Sequence, residues 1–170
     1  MTTSPLRLYR GIVRREWIDC NGHMNVAYYM LAFDAATTTF FDHLGIGEGY
    51  MDRTHCSTFT LEGHITYDRE VKEGDELVFD TRLLDYDSKR LHYFHEMYHA
   101  DLGYLASTSE LLTAHIDMSV RRTAGGAAAS APGYAARAAD RPDRRYPPPG
   151  LRATLSARRC AAASETVPEW

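Results

Sequence analysis

Between Val26 and Leu44 the apolar positions Val26, Tyr29, Met30, Phe33, Ala36, Phe40, Phe41 and Leu44 recur at steps of three and four residues. That is the period of a helix with one buried stripe. Asn25 stands where an N-cap is needed, and Gly45 where a left-handed residue ends a helix. The segments after it read as strands. From Thr58 to Tyr67 the alternation predicts Phe59, Leu61, Gly63, Ile65 and Tyr67 on one face and Thr58, Thr60, Glu62, His64 and Thr66 on the other. Leu77 to Leu84, Leu91 to Ala100 and Tyr104 to Ile116 continue the pattern. Polar turns join these strands at Tyr86-Asp87-Ser88-Lys89 and Asp101-Leu102-Gly103. A first strand over Leu6 to Trp17 precedes the helix.

One helix among five strands linked by short turns must bury its stripe on an antiparallel sheet. The expected class is α+β. The order resembles the hot dog fold, a single domain whose five-stranded antiparallel sheet wraps around one long helix. An open sheet edge invites pairing with another copy, so a homodimer or a homotetramer built from dimers is expected.

Composition changes near residue 123. Residues 1–123 hold all 8 His, 9 of the 11 Tyr and a formal charge of −7. From Ala124 the remaining 47 residues carry 14 Ala, 7 Arg and 6 Pro and lack Lys. With almost no large aliphatic side chains, this stretch buries too little apolar surface to offset the entropy of ordering. We therefore expect a hot dog domain over 1–123 and a disordered Ala/Arg/Pro-rich C-terminal tail over 124–170, with room for a short helix around Ala127 to Ala139. A shifted reading of GC-rich DNA produces the same bias, and sequencing the gene tests that origin. The net charge of −4 across 170 residues argues against nucleic acid as a partner, since phosphates demand a basic face. No segment approaches the roughly 18 consecutive apolar residues of a membrane helix, and Met1 to Arg10 lacks the apolar stretch of a signal peptide. Cys20, Cys56 and Cys160 have no framework spacing, which fits a reducing compartment. A soluble cytoplasmic protein is the expectation.

The chemistry concentrates just before the helix, in Trp17-Ile18-Asp19-Cys20-Asn21-Gly22-His23-Met24-Asn25. The first helical turn leaves N–H groups without intrahelical acceptors, and the dipole makes that end positive. A thioester carbonyl docked there is polarised, and the negative charge that develops in acyl transfer is stabilised. Met24, Val26 and Ala27 are the candidate donors. Asp19 stands a few residues upstream, able to attack or to activate water. With His23 and Asn25 it forms the candidate catalytic set, and the scheme uses no metal and no cofactor. The plainer reading is that Asp-x-Asn-Gly is a turn, Asn25 a cap and His23 a structural residue.

Asp19-Cys20-Asn21-Gly22-His23-Met24-Asn25, followed by Tyr28, Tyr29 and Phe33, resembles the Asp, Gly-His, Asn, Tyr pattern of acyl-CoA thioesterases of the 4-hydroxybenzoyl-CoA type. Ser57 to Tyr67 and Asp87 to His95 are similar to the branch containing betainyl-CoA thioesterases, which accompany carnitine breakdown. The resemblance covers roughly residues 8 to 122. It implies that Asp19 is the catalytic carboxylate, that the helix entrance supplies the oxyanion donor, and that a short or polar acyl-CoA is hydrolysed, with betainyl-CoA foremost. The tail has no counterpart in it.

A betainyl group carries a quaternary ammonium, which donates no hydrogen bond and is held by aromatic faces with a carboxylate nearby. Trp17, Tyr28, Tyr29, Phe59 and Tyr67 are candidate substrate-binding aromatics, although the same rings must also build the core. Glu62, on a half-buried strand, needs a partner or a task, and Glu110 is a weaker candidate. Lys89 and Arg90 form a basic pair at a turn, suited to the phosphates of coenzyme A. His92, His95 and His99 lie on one strand, with His92 on the opposite face, so they do not converge as zinc ligands. Cys20 is adjacent to Asp19, and adjacent residues on an extended segment point apart, so only one of them faces the reacting carbon. Two other functions stand beside hydrolysis. A hot dog enoyl-CoA hydratase spaces its Asp and His by five with an intervening Pro, whereas Asp19 and His23 are four apart with Gly22 between. A non-catalytic acyl-CoA-binding domain would release no CoA.

Overall fold

The structure, a computed structural model, describes residues 5–125. Helix α1 spans Val26–Leu44, with the two ends expected from its caps. The Asn25 side chain accepts the Ala27 N–H, and Gly45, at φ 80°, turns its own N–H back onto the Asp42 and Phe41 carbonyls. The strands are β1 (Leu6–Ile12), β2 (Cys56–Tyr67), β3 (Glu76–Tyr86), β4 (Arg90–His99), β5 (Leu105–Asp117) and the two-residue β6 (Arg122–Thr123). They form one antiparallel sheet in the order β1-β3-β4-β5-β2, with β6 paired to the end of β5. The expected tail lies, from Gly126 onward, outside the described residues.

Several expectations are corrected. The first strand stops at Ile12 rather than Trp17, because Val13 enters the core and a 3-10 turn over Arg15–Trp17 brings the indole inward. A short helix α2, Tyr50–Thr54, begins at Gly49 and ends at His55, both left-handed, and is too short to show a period. It anchors through the buried Tyr50. The His115 Nδ1–H donates to the Ala124 carbonyl at 2.9 Å, which leaves Nε2 to accept the Tyr50 hydroxyl at 2.9 Å.

The alternation read for β2 also breaks. Thr60 pairs with Thr113 but Glu62 pairs with Leu112, so Leu61 is the extra residue of a bulge. Directly opposed residues share a face. Phe59, opposite Ala114, therefore lies on the same face as Glu62, and that face points away from α1. Gly63, Ile65 and Tyr67 remain on the face towards the helix.

That inner face holds two hydrophobic clusters. Tyr29, Ala32, Phe33 and Ala36 of α1 pack with Trp17, Met24, Val71, Leu77, Phe79, Met97 and Ala106. Phe40, Phe41 and Leu44 pack with Ile46, Tyr50, Leu91, Tyr93 and Leu111. Truncating one such ring, as in Phe33→Ala, costs about 3–5 kcal/mol. His95, fully buried, links the helix to the sheet through the hydroxyls of Thr37 on α1 and Thr81 on β3, at 3.0 and 2.8 Å. Val26 and Met30 belong to the helical stripe by period, yet both are exposed. The first half of α1 therefore carries part of its stripe beyond the cover of the sheet.

The outer face is polar at its centre. Arg7 grips Asp80 through two bonds of 2.8 Å, Arg82 pairs with Glu96, and the His92 imidazole meets Glu110 at 2.8 Å. Pairing is what permits carboxylates this buried.

Candidate active site

Trp17 to Asn25 folds as a tight hairpin between the 3-10 turn and α1. The Asn25 N–H donates to the Trp17 carbonyl at 2.8 Å, the Asp19 N–H to the His23 carbonyl at 3.1 Å, and Gly22 closes the turn onto the Asp19 carbonyl at 3.0 Å. Gly22 stands at φ 80°, where a side chain is strained. This geometry aims Asp19. Its Oδ1 accepts the Asn21 N–H at 2.8 Å, and its Oδ2 lies 3.5 Å from the Asn25 Nδ2. Cys20, the next residue, is exposed and does not line the groove that Asp19 lines.

The helix entrance offers fewer donors than its sequence suggests. The Met24 N–H donates to the Val71 carbonyl at 2.9 Å, and the Ala27 N–H to the Asn25 Oδ1 at 3.0 Å. Of the three expected oxyanion donors, Met24 and Ala27 are thus engaged. Val26, the first helical residue, retains a backbone N–H with no acceptor among the described residues. His23 places its ring nitrogen Nδ1 at 3.3 Å from the Met24 carbonyl. A carbonyl only accepts, so Nδ1 carries the proton and Nε2 has the lone pair.

These groups open onto one groove of about 290 Å³, lined by Asp19, His23, Met24, Asn25, Val26 and Tyr29, with Tyr67 and the segment 68–70 across from them. The Tyr29 and Tyr67 rings meet edge to face at 5.1 Å. Burial pushes the Tyr29 hydroxyl above its ordinary pKa. Asp68, Arg69 and Glu70 were missed as site residues. Their only signal in the sequence is a polar run directly after Tyr67. The segment is held firmly: the Ala106 carbonyl accepts both the Asp68 and Arg69 N–H groups, the Tyr104 hydroxyl donates to the Glu70 carbonyl at 2.9 Å, and the Arg69 guanidinium lies 4.9 Å over the Tyr104 ring.

Four expected aromatic and acidic substrate contacts lie elsewhere. Trp17 is buried in the core, and its indole stacks on Tyr28 at 5.7 Å with 14° between planes. Neither ring lines the groove. Phe59 and Glu62 share the outer face of the sheet, because the bulge at Leu61 reverses the alternation between them. Lys89, in the β3–β4 turn, and Arg90, the first residue of β4, stand beside the cluster at the other end of α1, and 19 helical residues span about 28 Å. The Arg90 guanidinium is bonded to Asp87 at 2.6 and 2.9 Å. The fold therefore does not bring the basic pair to the groove of its own chain.

The arrangement has what acyl transfer to water requires: an oriented carboxylate, a helix-terminal N–H, an imidazole lone pair and a lined cleft. Known proteins point the same way. The family model described as Thioesterase-like superfamily matches residues 13–150, running past Thr123. The chain is 38% identical over 119 residues, 70% of its length and 75% of the relative's, to the betainyl-CoA thioesterase of Pseudomonas aeruginosa. It is 39% identical over 119 residues to the L-carnitine dehydrogenase/betainyl-CoA thioesterase of Agrobacterium fabrum, of which it spans 24%. Among solved structures, a hypothetical protein of Staphylococcus aureus in complex with CoA superposes with a TM-score of 0.72 at 28% identity, over 86% of this chain and 93% of that one. The hydratase and non-catalytic alternatives gain no support from these relatives. A match of this length to the family model and relatives of this identity place the chain in one family: it belongs to the thioesterase-like superfamily, with the hot dog fold.

Proposed function

We propose that this protein hydrolyses betainyl-CoA to betaine and CoA in the groove at the start of α1, with Asp19 as general base. That it is a thioester hydrolase rests on its family. The assignment of the site rests on one observation: Asp19 and Val26, the residue whose backbone N–H has no acceptor among the described residues, line the same groove. Asp19 removes a proton from water, and the hydroxide oxygen adds to the thioester carbon. The negative charge passes to the carbonyl oxygen, which the Val26 N–H and the helix dipole stabilise. As that charge returns, the carbon–sulfur bond breaks and the CoA sulfur takes the proton from Asp19. The His23 Nε2, the one ring nitrogen with a lone pair, orients the water or the departing thiol.

The acyl preference is supported by the groove's lining. Two aromatic residues, Tyr29 and Tyr67, and two acidic ones, Asp68 and Glu70, line it, while Arg69 between the acids lies over the Tyr104 ring. A trimethylammonium group is attracted by rings and carboxylates alike and requires no hydrogen-bond acceptor. We also propose that the protein works in the cytoplasm as a homodimer, or a homotetramer of dimers. β2 is an edge strand of 12 residues with Leu61 and Tyr67 exposed, and α1 exposes Val26, Met30 and Leu31. Among the described residues no helix is long and apolar enough to cross a membrane, and the Cys20 and Cys56 thiols are unpaired. The deciding experiment is thiol release from betainyl-, acetyl-, medium-chain and aromatic acyl-CoA. A preference for betainyl-CoA supports the proposal, and release from fatty or aromatic substrates alone overturns the substrate assignment.

A further inference from the structure

The two halves of the proposed reaction sit on different elements. Asp19 belongs to the hairpin and the Val26 N–H to α1. Their separation depends on the angle at which the hairpin meets the helix, and catalytic groups tolerate only about 0.5 Å of error. Two backbone bonds cross the hairpin, from the Asp19 N–H to the His23 carbonyl and, at its base, from the Asn25 N–H to the Trp17 carbonyl.

We infer that the Trp17–Tyr28 stack is the bracket that sets this angle, and that both are positioning residues acting through Asp19. Trp17 is the residue at the base of the hairpin. Tyr28 lies in the first turn of α1, where its N–H donates to the Asn25 carbonyl at 3.0 Å. Their rings lie nearly parallel, 14° apart at 5.7 Å. The indole is seated in the core beside Met24 and Val71, and Met24 is tied back to Val71 by its own N–H. The Arg14 guanidinium lies 5.6 Å over the indole. One ring is thus anchored to the hairpin and the other to the helix, and a flat contact between two wide rings resists tilting of either element. Neither ring reaches the groove, so their contribution to the reaction is orientation rather than substrate contact. The part of Tyr28 that meets Trp17 is its ring, so removing the hydroxyl alone leaves the stack in place.

The inference rests on Asp19 acting as the base, and its test separates the two ideas. Tyr28→Leu, Tyr28→Phe and the wild-type full-length chain are compared for thiol release from betainyl-CoA and acetyl-CoA, and for amide hydrogen exchange at Asp19 and Asn25. Tyr28→Leu is expected to lower kcat about 10- to 100-fold for both substrates with KM within about threefold, because small misplacements of reacting groups cost that much. Exchange at Asp19 and Asn25 is expected to accelerate by a few-fold up to about tenfold, the worth of such a stack. Tyr28→Phe, which retains the ring, rescues both readouts. If Tyr28→Leu keeps the wild-type kcat and exchange rates, or loses only KM for betainyl-CoA, the bracket is wrong. If the wild-type chain itself releases no thiol, the hydrolase reading falls, and the exchange rates still decide whether the stack holds the hairpin.

Discussion

Asn25 divides its carboxamide between the helix and the carboxylate: Oδ1 accepts the Ala27 N–H at 3.0 Å while Nδ2 lies 3.5 Å from the Asp19 Oδ2. One side chain thereby caps α1 and steadies the proposed base. Asn25→Ala is expected to cost about 1 kcal/mol of stability through the lost cap and to lower kcat. Asn25→Asp keeps the cap but sets a second carboxylate beside Asp19. Like charges at that distance raise the pKa of the pair, so the acid limb of the kcat/KM profile moves to higher pH. An unshifted limb in a folded Asn25→Asp enzyme would separate Asn25 from the base.

Asp19→Asn retains the size of the side chain and its acceptor for the Asn21 N–H, so thermal unfolding should change little. Hydrolysis is expected to fall by about 10² to 10⁴, the usual worth of general-base assistance. Thiol release at the wild-type rate by this variant would place the chemistry elsewhere.

Charge selectivity is expected to follow the groove and not the sheet's outer face. Glu70→Gln should weaken hydrolysis of betainyl-CoA more than that of acetyl-CoA, because Glu70 lines the groove. Glu62→Gln should leave the ratio of the two unchanged, since Glu62 shares the outer face with Phe59. Measuring kcat/KM for both substrates decides it, and a ratio that responds to Glu62 alone reverses the assignment.

Burial pushes His95 down to about 3, whereas an unfolded histidine titrates near 6.5. Between those values the unfolded chain binds the extra proton, so stability rises with pH through this window. The contribution of neutral His95 is complete above about pH 6.5 and is lost as pH falls towards 3, at up to about 1.4 kcal/mol per unit. His95→Gln removes that titration and leaves Thr37 and Thr81 with a polar neighbour. Denaturant midpoints from pH 7 to pH 4 should therefore fall less steeply for the variant than for wild type. Parallel slopes would mean that other groups carry the acid lability.

Local chemistry explains what was legible. The ends of α1 coincide with the sequence reading because Asn25 and Gly45 act on their immediate neighbours. The long strands appear within a few residues of their expected places, since alternation and turn residues are also local signals. The bulge at Leu61 was invisible for the opposite reason: it is defined by the partner strand, where Thr113 and Leu112 meet Thr60 and Glu62. Five-residue α2 and two-residue β6 are too short to carry a period. The aromatics near the site divided in the same way. Tyr29 and Tyr67 line the groove while Trp17 and Tyr28 face each other, and residue type alone does not distinguish a ring that packs from one that binds.

The amino-acid order by itself determined one capped amphipathic helix, a run of alternating strands and an acidic turn at the helix entrance, because each is encoded within a few residues of chain. Tertiary structure decided the rest. Strand order, with β1 beside β3 and β2 beside β5, brought segment 68–70 across from Asp19, and packing engaged the Met24 amide and left the Val26 amide open. Those outcomes depend on partners distant along the chain, such as Val71 for Met24 and Thr81 for Leu6, and such pairings follow from how the whole core closes rather than from any local pattern.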